Sequence, residues 1–510
     1  MDMSHLPTHL VTAQNPARTD LGTLDHPRCA ALHNYLVHCA WLAESRPVSA
    51  DLLNNSNTFF TGNGGAASVF RERLHPSVVA FLGAALLPPS PGPHRAPAPF
   101  FWWATALNNT EDLFANPVAG LFDEPEDSLL CLYWPGQGGE AGGGVYYHQG
   151  IHRAAVFMHM DDHDFAMPAW RNPTLWHPLE TILSNWIELL RLGKVAATPP
   201  DAPSLFGNER SGPWEWRVYS EAQVDACVHA WDRLCEAIEV RRRGVVAAKA
   251  TMTAEEPLLT SAALDAAAVP DPGFARAFLS RARRPTFLRI GPGLTAPPSD
   301  AASFAAMQSY TRLPRLSGNH IPPVCLFPAA PMTPDQLPLV NMVTEVPEFM
   351  SPAWDTAFYF EGFKPFEKHP DAVLPSRVPA GVYSEAVDRS CYDNTEEGFR
   401  LLLPYGLIGG KNNDRCMWDP VIAPVPGART SDGSFVKSST GHQLFQHGYK
   451  PLGGDYYRPQ RLERLLDHWA KLVADGVWSV GPDGVEGTID KFKEADVAAH
   501  WRDYIIPPSW

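Results

Sequence analysis

Cysteine is scarce in this sequence, and none of it is arranged as a redox or metal-binding motif. The chain has 510 residues but only 8 cysteines, and no two of them form a Cys-x-x-Cys pair. So few thiols in so long a chain do not make a disulfide scaffold. We therefore expect most of them to be reduced core residues, and Cys227 and Cys235 fall on the apolar face of a predicted helix.

Long apolar runs and an excess of basic residues are also missing. No stretch approaches the roughly 18 apolar residues of a membrane span, and no basic leader with an apolar run opens the chain. Acidic residues number 56 against 41 basic ones, a formal net charge of -15, so the overall field repels phosphate backbones. These absences predict a soluble, cytoplasmic protein with neither a nucleic-acid nor a membrane partner.

Familiar hydrolase and nucleotide-binding motifs are absent as well. Neither the Gly-x-Ser-x-Gly elbow nor His-Glu-x-x-His occurs. The glycine-rich stretch 136–144 follows a strand-like run, but strand-like residues rather than a helix come after it. Without a helix N-terminus to hold a pyrophosphate, this stretch predicts a hairpin loop and no nucleotide cofactor.

Proline and apolar residues are plentiful. The 50 prolines are roughly twice the usual share of about 5%, which predicts many turns and ordered loops. With 45% hydrophobic and 19% charged residues, the chain has the composition of a folded protein. We predict a mixed α+β fold, irregular and loop-rich, in two packed domains.

The predicted organisation has four parts. Residues 1–87 form an N-terminal helical segment, and 100–250 a strand-rich core with two long helices. Residues 251–300 are an Ala- and Pro-rich connection, and 301–510 an α+β region with a final amphipathic helix and a docked tail. The Pro-rich stretch 88–99 supplies the first boundary, because it fits neither a helix nor a central strand.

Three helices are predicted with definite ends. Helix 179–192 lies between Pro178 and Gly193, and helix 221–243 opens with a capping box in which Ser220 and Gln223 satisfy free N–H groups. A third begins at Pro459 and carries a regular apolar face. Strands are predicted at 129–134 and over 145–160, the latter interrupted by Gly150.

Histidine and aspartate are concentrated in one short region. Five of the 19 histidines lie between His148 and His177, where an even spread would place about one. His148 and His152 are four apart, so we expect them on one face of a strand or helix. The remaining side chains of this cluster are His159, Asp161, Asp162, His163 and Asp164.

This cluster predicts a divalent metal site, with iron or zinc as the ion. Imidazole and carboxylate are the ligands these metals prefer, and His159-x-Asp161 fits the first half of the two-His, one-carboxylate triad of non-haem iron oxygenases. The predicted ligands are His148, His152, His159, Asp161 and His163. We expect Asp162 and Asp164 to be the catalytic carboxylates, which orient a ligand or move a proton.

The function predicted from this site is a metal-dependent, non-haem oxygenase-like oxidoreductase. Six tryptophans lie within the 90 residues that contain the cluster, and aromatic side chains lining a cleft suit a small apolar or aromatic substrate. Two alternatives use the same residues. The first is a metal-free acid–base enzyme, such as a lyase, isomerase or hydrolase; the second is a non-catalytic binding or assembly protein with incidental histidines. The oligomeric state is not predicted.

A second His-x-Asp occurs at His369 and Asp371, followed by His442, His447 and Arg458. This spacing resembles the iron and 2-oxoglutarate dioxygenases, in which a distal histidine completes the triad and a later arginine grips the cosubstrate carboxylate. It covers too little of the chain for a family to be named. Two other expectations concern single residues: Glu180 and Glu188 on a solvated helix face, and His177 as a helix-start residue.

Overall fold

The fold combines helices with several small sheets, as the mixed α+β prediction states. The computed structural model describes residues 6–43, 57–87, 100–107, 110, 112–114, 125, 127–135, 143–157, 166–199, 201–202, 210–243, 256–315, 317–330, 371, 375, 378–390, 395–408, 427–436, 441–448, 452 and 459–509. Among these residues, no helix is long and apolar enough to cross a membrane.

The α-helices are named in chain order. They are α1 Leu6–His9, α2 His26–Ala43, α3 Phe59–Val69, α4 Pro76–Ala84, α5 Leu179–Arg191, α6 Glu221–Arg243, α7 Ser261–Ala266, α8 Phe274–Arg281, α9 Ala301–Ala306 and α10 Leu462–Ala474. Short 3-10 helices cover Phe70–Arg73, Pro173–Leu175, Ile489–Asp496 and Trp501–Tyr504.

The strands are short and mostly antiparallel. They are β1 Ala104–Leu107, β2 Leu129–Pro135, β3 Gly144–His148, β4 Arg153–Phe157, β5 Val195–Ala197, β6 Arg210–Ser211, β7 Trp214–Trp216, β8 Arg289–Gly291, β9 Leu294–Thr295, β10 His320–Ile321, β11 Cys325–Pro328, β12 Gly381–Ser384, β13 Val387–Asp388, β14 Phe399–Leu402, β15 Val480–Gly481 and β16 Gly484–Val485. The described sheets have the strand orders β1-β2-β3-β4, β5-β7-β6, β15-β16-β8-β9, β11-β12-β14 and β10-β13.

The predicted starts of α5 and α6 are confirmed. Pro178 is the N-cap of α5, and Gly193, which follows its C-cap, has a φ of +67°. Ser220 and Gln223 form the capping box of α6. Helix α10 begins at Leu462, slightly after the predicted Pro459, and buries the expected apolar face. These ends were predictable because capping chemistry is local to the sequence.

Buried side chains form two large clusters. One is built from residues between Leu10 and Trp216, together with Leu452, and packs α2, α4 and α5 against one face of the β1-β2-β3-β4 sheet. The other is built from residues between Val224 and Ile506 and surrounds α6 and α10. Cys227 and Cys235 lie in this second cluster, as predicted. The division into two domains remains a prediction.

Candidate histidine site at the hairpin turn

The β3–β4 hairpin carries the two predicted metal ligands that the structure describes. Strand β3 ends at His148, β4 begins at Arg153, and these two residues are paired across the ladder. His152 lies in the turn with a φ of +52°, in the left-handed region that residues other than glycine rarely adopt. The expectation that His148 and His152 share one strand or helix face is therefore wrong, because the chain reverses between them.

The two imidazoles contact different faces of the hairpin. His148 lies edge-on to Trp176, with ring centroids 6.0 Å apart, and accepts a hydrogen bond at Nδ1 from the Gly150 N–H (3.1 Å). Tyr147 points to the opposite face, and its hydroxyl lies 3.0 Å from Nδ1 of His152. Successive strand side chains alternate between faces, so the contact with Tyr147 places His152 away from Trp176.

His152 instead faces His75, a residue that the sequence did not single out. His75 is the N-cap of α4, with Pro76 as the first helical residue, and its ring centroid lies 4.5 Å from that of His152, at an interplanar angle of 65°. Both rings are half-buried. The only sequence signal for His75 is its place before a proline at a helix start, which predicts a cap rather than a ligand.

Each ring of this pair has one nitrogen engaged by the protein. Nδ1 of His75 accepts from the Ser77 N–H (3.3 Å) and lies 2.7 Å from the Ser77 hydroxyl, whereas Nδ1 of His152 is taken by Tyr147. Among the described residues, neither Nε2 makes a hydrogen bond. Two imidazoles from separate elements therefore keep their Nε2 atoms for a ligand or a proton.

Burial and neighbouring histidines keep His152 uncharged. Its pKa is lowered from the usual value, first by burial and then by electrostatic interaction with His75 and His148. A neutral imidazole is the form that ligates a metal or accepts a proton. The site therefore holds a base at neutral pH.

The other predicted ligands and catalytic residues are not placed. His159, Asp161, Asp162, His163 and Asp164 all lie in 158–165, outside the described residues. Strand β4 carries the chain about 13 Å from the turn before this segment begins. In the part of the chain that the structure describes, no three His, Cys, Asp or Glu side chains are grouped closely enough to hold a metal.

His177 lies just before α5, as predicted. Its N–H and C=O both pair with Ala154, at 2.8 and 2.7 Å, which extends the β3–β4 sheet by one bridge. Burial lowers the pKa of its imidazole to about 4. His177 is thus a half-buried, neutral residue that joins the helix start to the sheet.

Glu180 is buried rather than solvated, which corrects the sequence expectation for this residue. Its side chain is 2% exposed and accepts from the Arg18 N–H (3.3 Å) and the Cys29 thiol (3.7 Å). Burial raises the pKa of this carboxyl and that of the Cys29 thiol. The N-terminal segment around Arg18 covers this part of α5, a long-range contact that helical periodicity does not report.

The second His-x-Asp is described only in part. His369 and Arg458 fall outside the described residues, whereas Asp371, His442 and His447 are described. His442 and His447 are both buried. The dioxygenase-like spacing remains a prediction.

A second polar region lies beside the N-terminus of α8. A small crevice is lined in part by Gly273, Arg276, Ser384 and Glu396. Glu396 accepts two hydrogen bonds from Arg389, at 2.9 Å each, and one from the Phe274 N–H at 2.8 Å. Its charge is thus already neutralised within the protein, which makes it a weaker candidate for chemistry than the histidine pair.

Among the described residues, the His75–His152 pair therefore has the best arrangement for chemistry: two half-buried imidazoles with oriented rings and unengaged Nε2 atoms. Such a pair can ligate a metal or transfer a proton. The chain matches no protein-family model, no curated protein and no solved structure.

Proposed function

We propose that this protein is a metal-dependent enzyme and that His75 and His152 supply two of the metal ligands through Nε2. The observation that carries the proposal is the 4.5 Å ring contact between imidazoles from two separate elements. Two residues 77 positions apart meet with their Nδ1 atoms turned to hydroxyl groups and their Nε2 atoms unengaged. Histidine is the commonest metal ligand among side chains.

The surroundings of both rings suit ligation. A histidine bound to metal at Nε2 carries its proton on Nδ1 and donates it to a nearby acceptor, which fixes the ring. The hydroxyl of Ser77 lies 2.7 Å from Nδ1 of His75, and that of Tyr147 lies 3.0 Å from Nδ1 of His152. Both hydroxyls can accept this proton, which at His75 would replace the hydrogen bond that Nδ1 accepts from the Ser77 N–H.

The rest of the site follows the sequence prediction. A non-haem iron or zinc site with two histidines needs at least one further ligand, for which a carboxylate is suited. Asp161 is the proposed carboxylate, and His159 and His163 are further candidates. When bound, the metal would activate water or dioxygen for oxidation of a small apolar or aromatic molecule. Asp162 and Asp164 are the proposed proton-handling groups.

Calorimetric titration of chelator-treated protein with Zn²⁺ and with Fe²⁺ under argon tests this proposal. We expect stoichiometric binding to the wild type and a loss of at least about tenfold in affinity for His75→Ala and for His152→Ala, since even outer-shell changes cost about 10- to 100-fold. The exposed His229 of α6 is the matched control, and His229→Ala should bind as the wild type does. A wild type that binds neither ion, or unchanged affinity in both variants, contradicts the proposal.

A metal-free acid–base enzyme is the second candidate, and a specific observation favours it. His152 is held in a left-handed conformation, which costs on the order of 1–3 kcal/mol and is characteristic of functional sites. Its lowered pKa and its hydrogen bond to Tyr147 suit a general base. This candidate predicts that chelator-treated protein exchanges the α-protons of small aromatic ketones in D₂O and that His152→Gln does not. Absence of exchange in the wild type over such a panel counts against it.

A further inference from the structure

Gln149, the first residue of the hairpin turn, joins the two segments that carry the histidine pair. Its side-chain Oε1 accepts from the His75 N–H at 2.6 Å. Its Nε2 donates to the carbonyl oxygens of Arg73 (3.1 Å) and Asp127 (2.5 Å). Its own N–H donates to the Ser128 carbonyl at 2.7 Å. The one side-chain amide thus uses both of its protons and its oxygen on backbone groups of other segments.

Among the described residues, no strand ladder connects the turn to the start of α4. His75 follows the 3-10 helix Phe70–Arg73, whereas His152 belongs to the turn between β3 and β4. The orientation of one ring against the other therefore depends on side-chain contacts. Gln149 supplies the hydrogen bonds that reach from the turn to Arg73 and His75.

Residues of the turn and of two neighbouring segments surround Gln149. Gly150 directly follows it, and a Cβ at that position would lie 3.1 Å from Cε1 of His148, so any larger residue would press on this ring. Arg73 and Asp127, whose carbonyls accept from Gln149, are also joined by an ion pair at 2.5 Å. This ion pair joins the Arg73 and Asp127 segments to each other, whereas Gln149 bonds both of them to the hairpin turn.

We infer that Gln149 is a positioning residue for the proposed site: it holds the ring of His75 against that of His152. This inference rests on the proposed function for the role of the pair, but the placement of the two rings can be measured without any metal. Loss of the amide should let the two imidazoles separate, while the cores on either side of the sheet remain packed.

The test compares Gln149→Met with Gln308→Met. Gln308 also bonds backbone groups through its side chain, at the Cys325 C=O (3.1 Å) and the Cys325 N–H (2.9 Å), but in another part of the molecule. NOESY spectra of histidine-labelled protein, with assignments from His75 and His152 variants, report the contact between the two rings, whose centroids lie 4.5 Å apart. In Gln149→Met we expect the cross-peaks between the two rings to be lost, because His75 is no longer bonded to the turn, and zinc affinity to fall at least about tenfold.

Gln308→Met should keep the cross-peaks between the two rings and the zinc affinity, even if both variants lose similar thermal stability. If Gln149→Met does not fold, Gln149→Asn serves instead, because it is neutral and its shorter side chain cannot reach Arg73, His75 and Asp127 together; the same loss of cross-peaks is expected. A folded Gln149 variant that keeps the wild-type cross-peaks overturns the inference. If the wild type binds no zinc but the cross-peaks are lost as expected, the proposed function fails and the positioning role stands.

Discussion

His33 of α2 shows how one buried side chain can be fully satisfied without charge. Its Nε2 lies 2.7 Å from the Leu86 carbonyl oxygen, which can only accept, so Nε2 carries the proton. Nδ1 then accepts from the Tyr133 hydroxyl at 3.0 Å. The ring stacks on Phe100, with centroids 4.4 Å apart. Burial lowers the pKa of His33 to about 4. Protonation of His33 therefore destabilises the folded state.

This opposition predicts acid sensitivity. The unfolded chain binds a proton at His33 near pH 6.5 and the folded chain only near pH 4, so unfolding free energy falls as pH drops through this window. This pKa shift corresponds to a loss of about 3 kcal/mol of unfolding free energy, and the loss is complete below pH 4. Urea denaturation between pH 4 and 7 should show a smaller pH dependence for His33→Gln than for the wild type, since glutamine gains no proton. An equal dependence in both proteins would assign the acid sensitivity to other groups.

At the scale of elements, α6 illustrates a local motif with a long-range use. The Ser220 hydroxyl accepts from the backbone N–H of Gln223 (3.1 Å), and the side-chain Oε1 of Gln223 accepts from the backbone N–H of Ser220 (3.0 Å). The remaining amide group of Gln223 donates to Oε1 of the buried Glu397 at 2.7 Å. The capping box was predictable from four consecutive residues, whereas the bond to Glu397 joins positions 174 apart.

The two roles can be separated by mutation. Ser220→Ala should cost about 1 kcal/mol of unfolding free energy, the usual loss for a cap. Gln223→Leu should cost about 1–3 kcal/mol more, because it also leaves a buried carboxylate oxygen without its donor. The denaturant concentrations at the unfolding midpoints give both losses of free energy, when the slope of free energy against denaturant concentration is the same in all variants. Equal losses would mean that the bond to Glu397 adds nothing to stability.

At the scale of the whole molecule, a buried ion pair connects the two large clusters. Lys194 is fully buried, and its Nζ lies 2.9 Å both from Oε2 of Glu397 and from the Val218 carbonyl oxygen. Lys194 precedes β5, which packs in the first cluster, whereas Glu397 precedes β14, which packs in the second. Both carboxylate oxygens of Glu397 have a donor, so the pair joins the two clusters without leaving either oxygen unsatisfied.

Removing one partner should therefore be costly. Lys194→Met is expected to lower the unfolding free energy by about 3–5 kcal/mol, since it leaves Glu397 charged and buried. The double variant Lys194→Met, Glu397→Gln should recover much of this loss. The exposed pair Arg233–Asp467 is the control, and Arg233→Met should cost at most about 1 kcal/mol. Similar losses for Lys194→Met and Arg233→Met in chemical denaturation would contradict this account.

The sequence by itself determined the features whose causes lie within a few residues. Periodic apolar faces, caps and β-branched residues predicted α5, α6, α10 and strand structure on either side of Gly150, because helices and strands follow from local patterns. Composition also predicted the mixed fold class. The same local reasoning placed His148 and His152 on one face, because a spacing of four cannot tell a continuous strand from a turn.

Only the tertiary structure decided which side chains meet. His75 and Gln149 are inconspicuous in the sequence, yet the packing of α4 against the hairpin turn brings both to His152. Helical spacing predicts a surface position for Glu180, whereas in the structure a distant segment covers it. Such contacts depend on how elements far apart in the chain dock, and docking is set by the summed packing of the cores rather than by any local pattern.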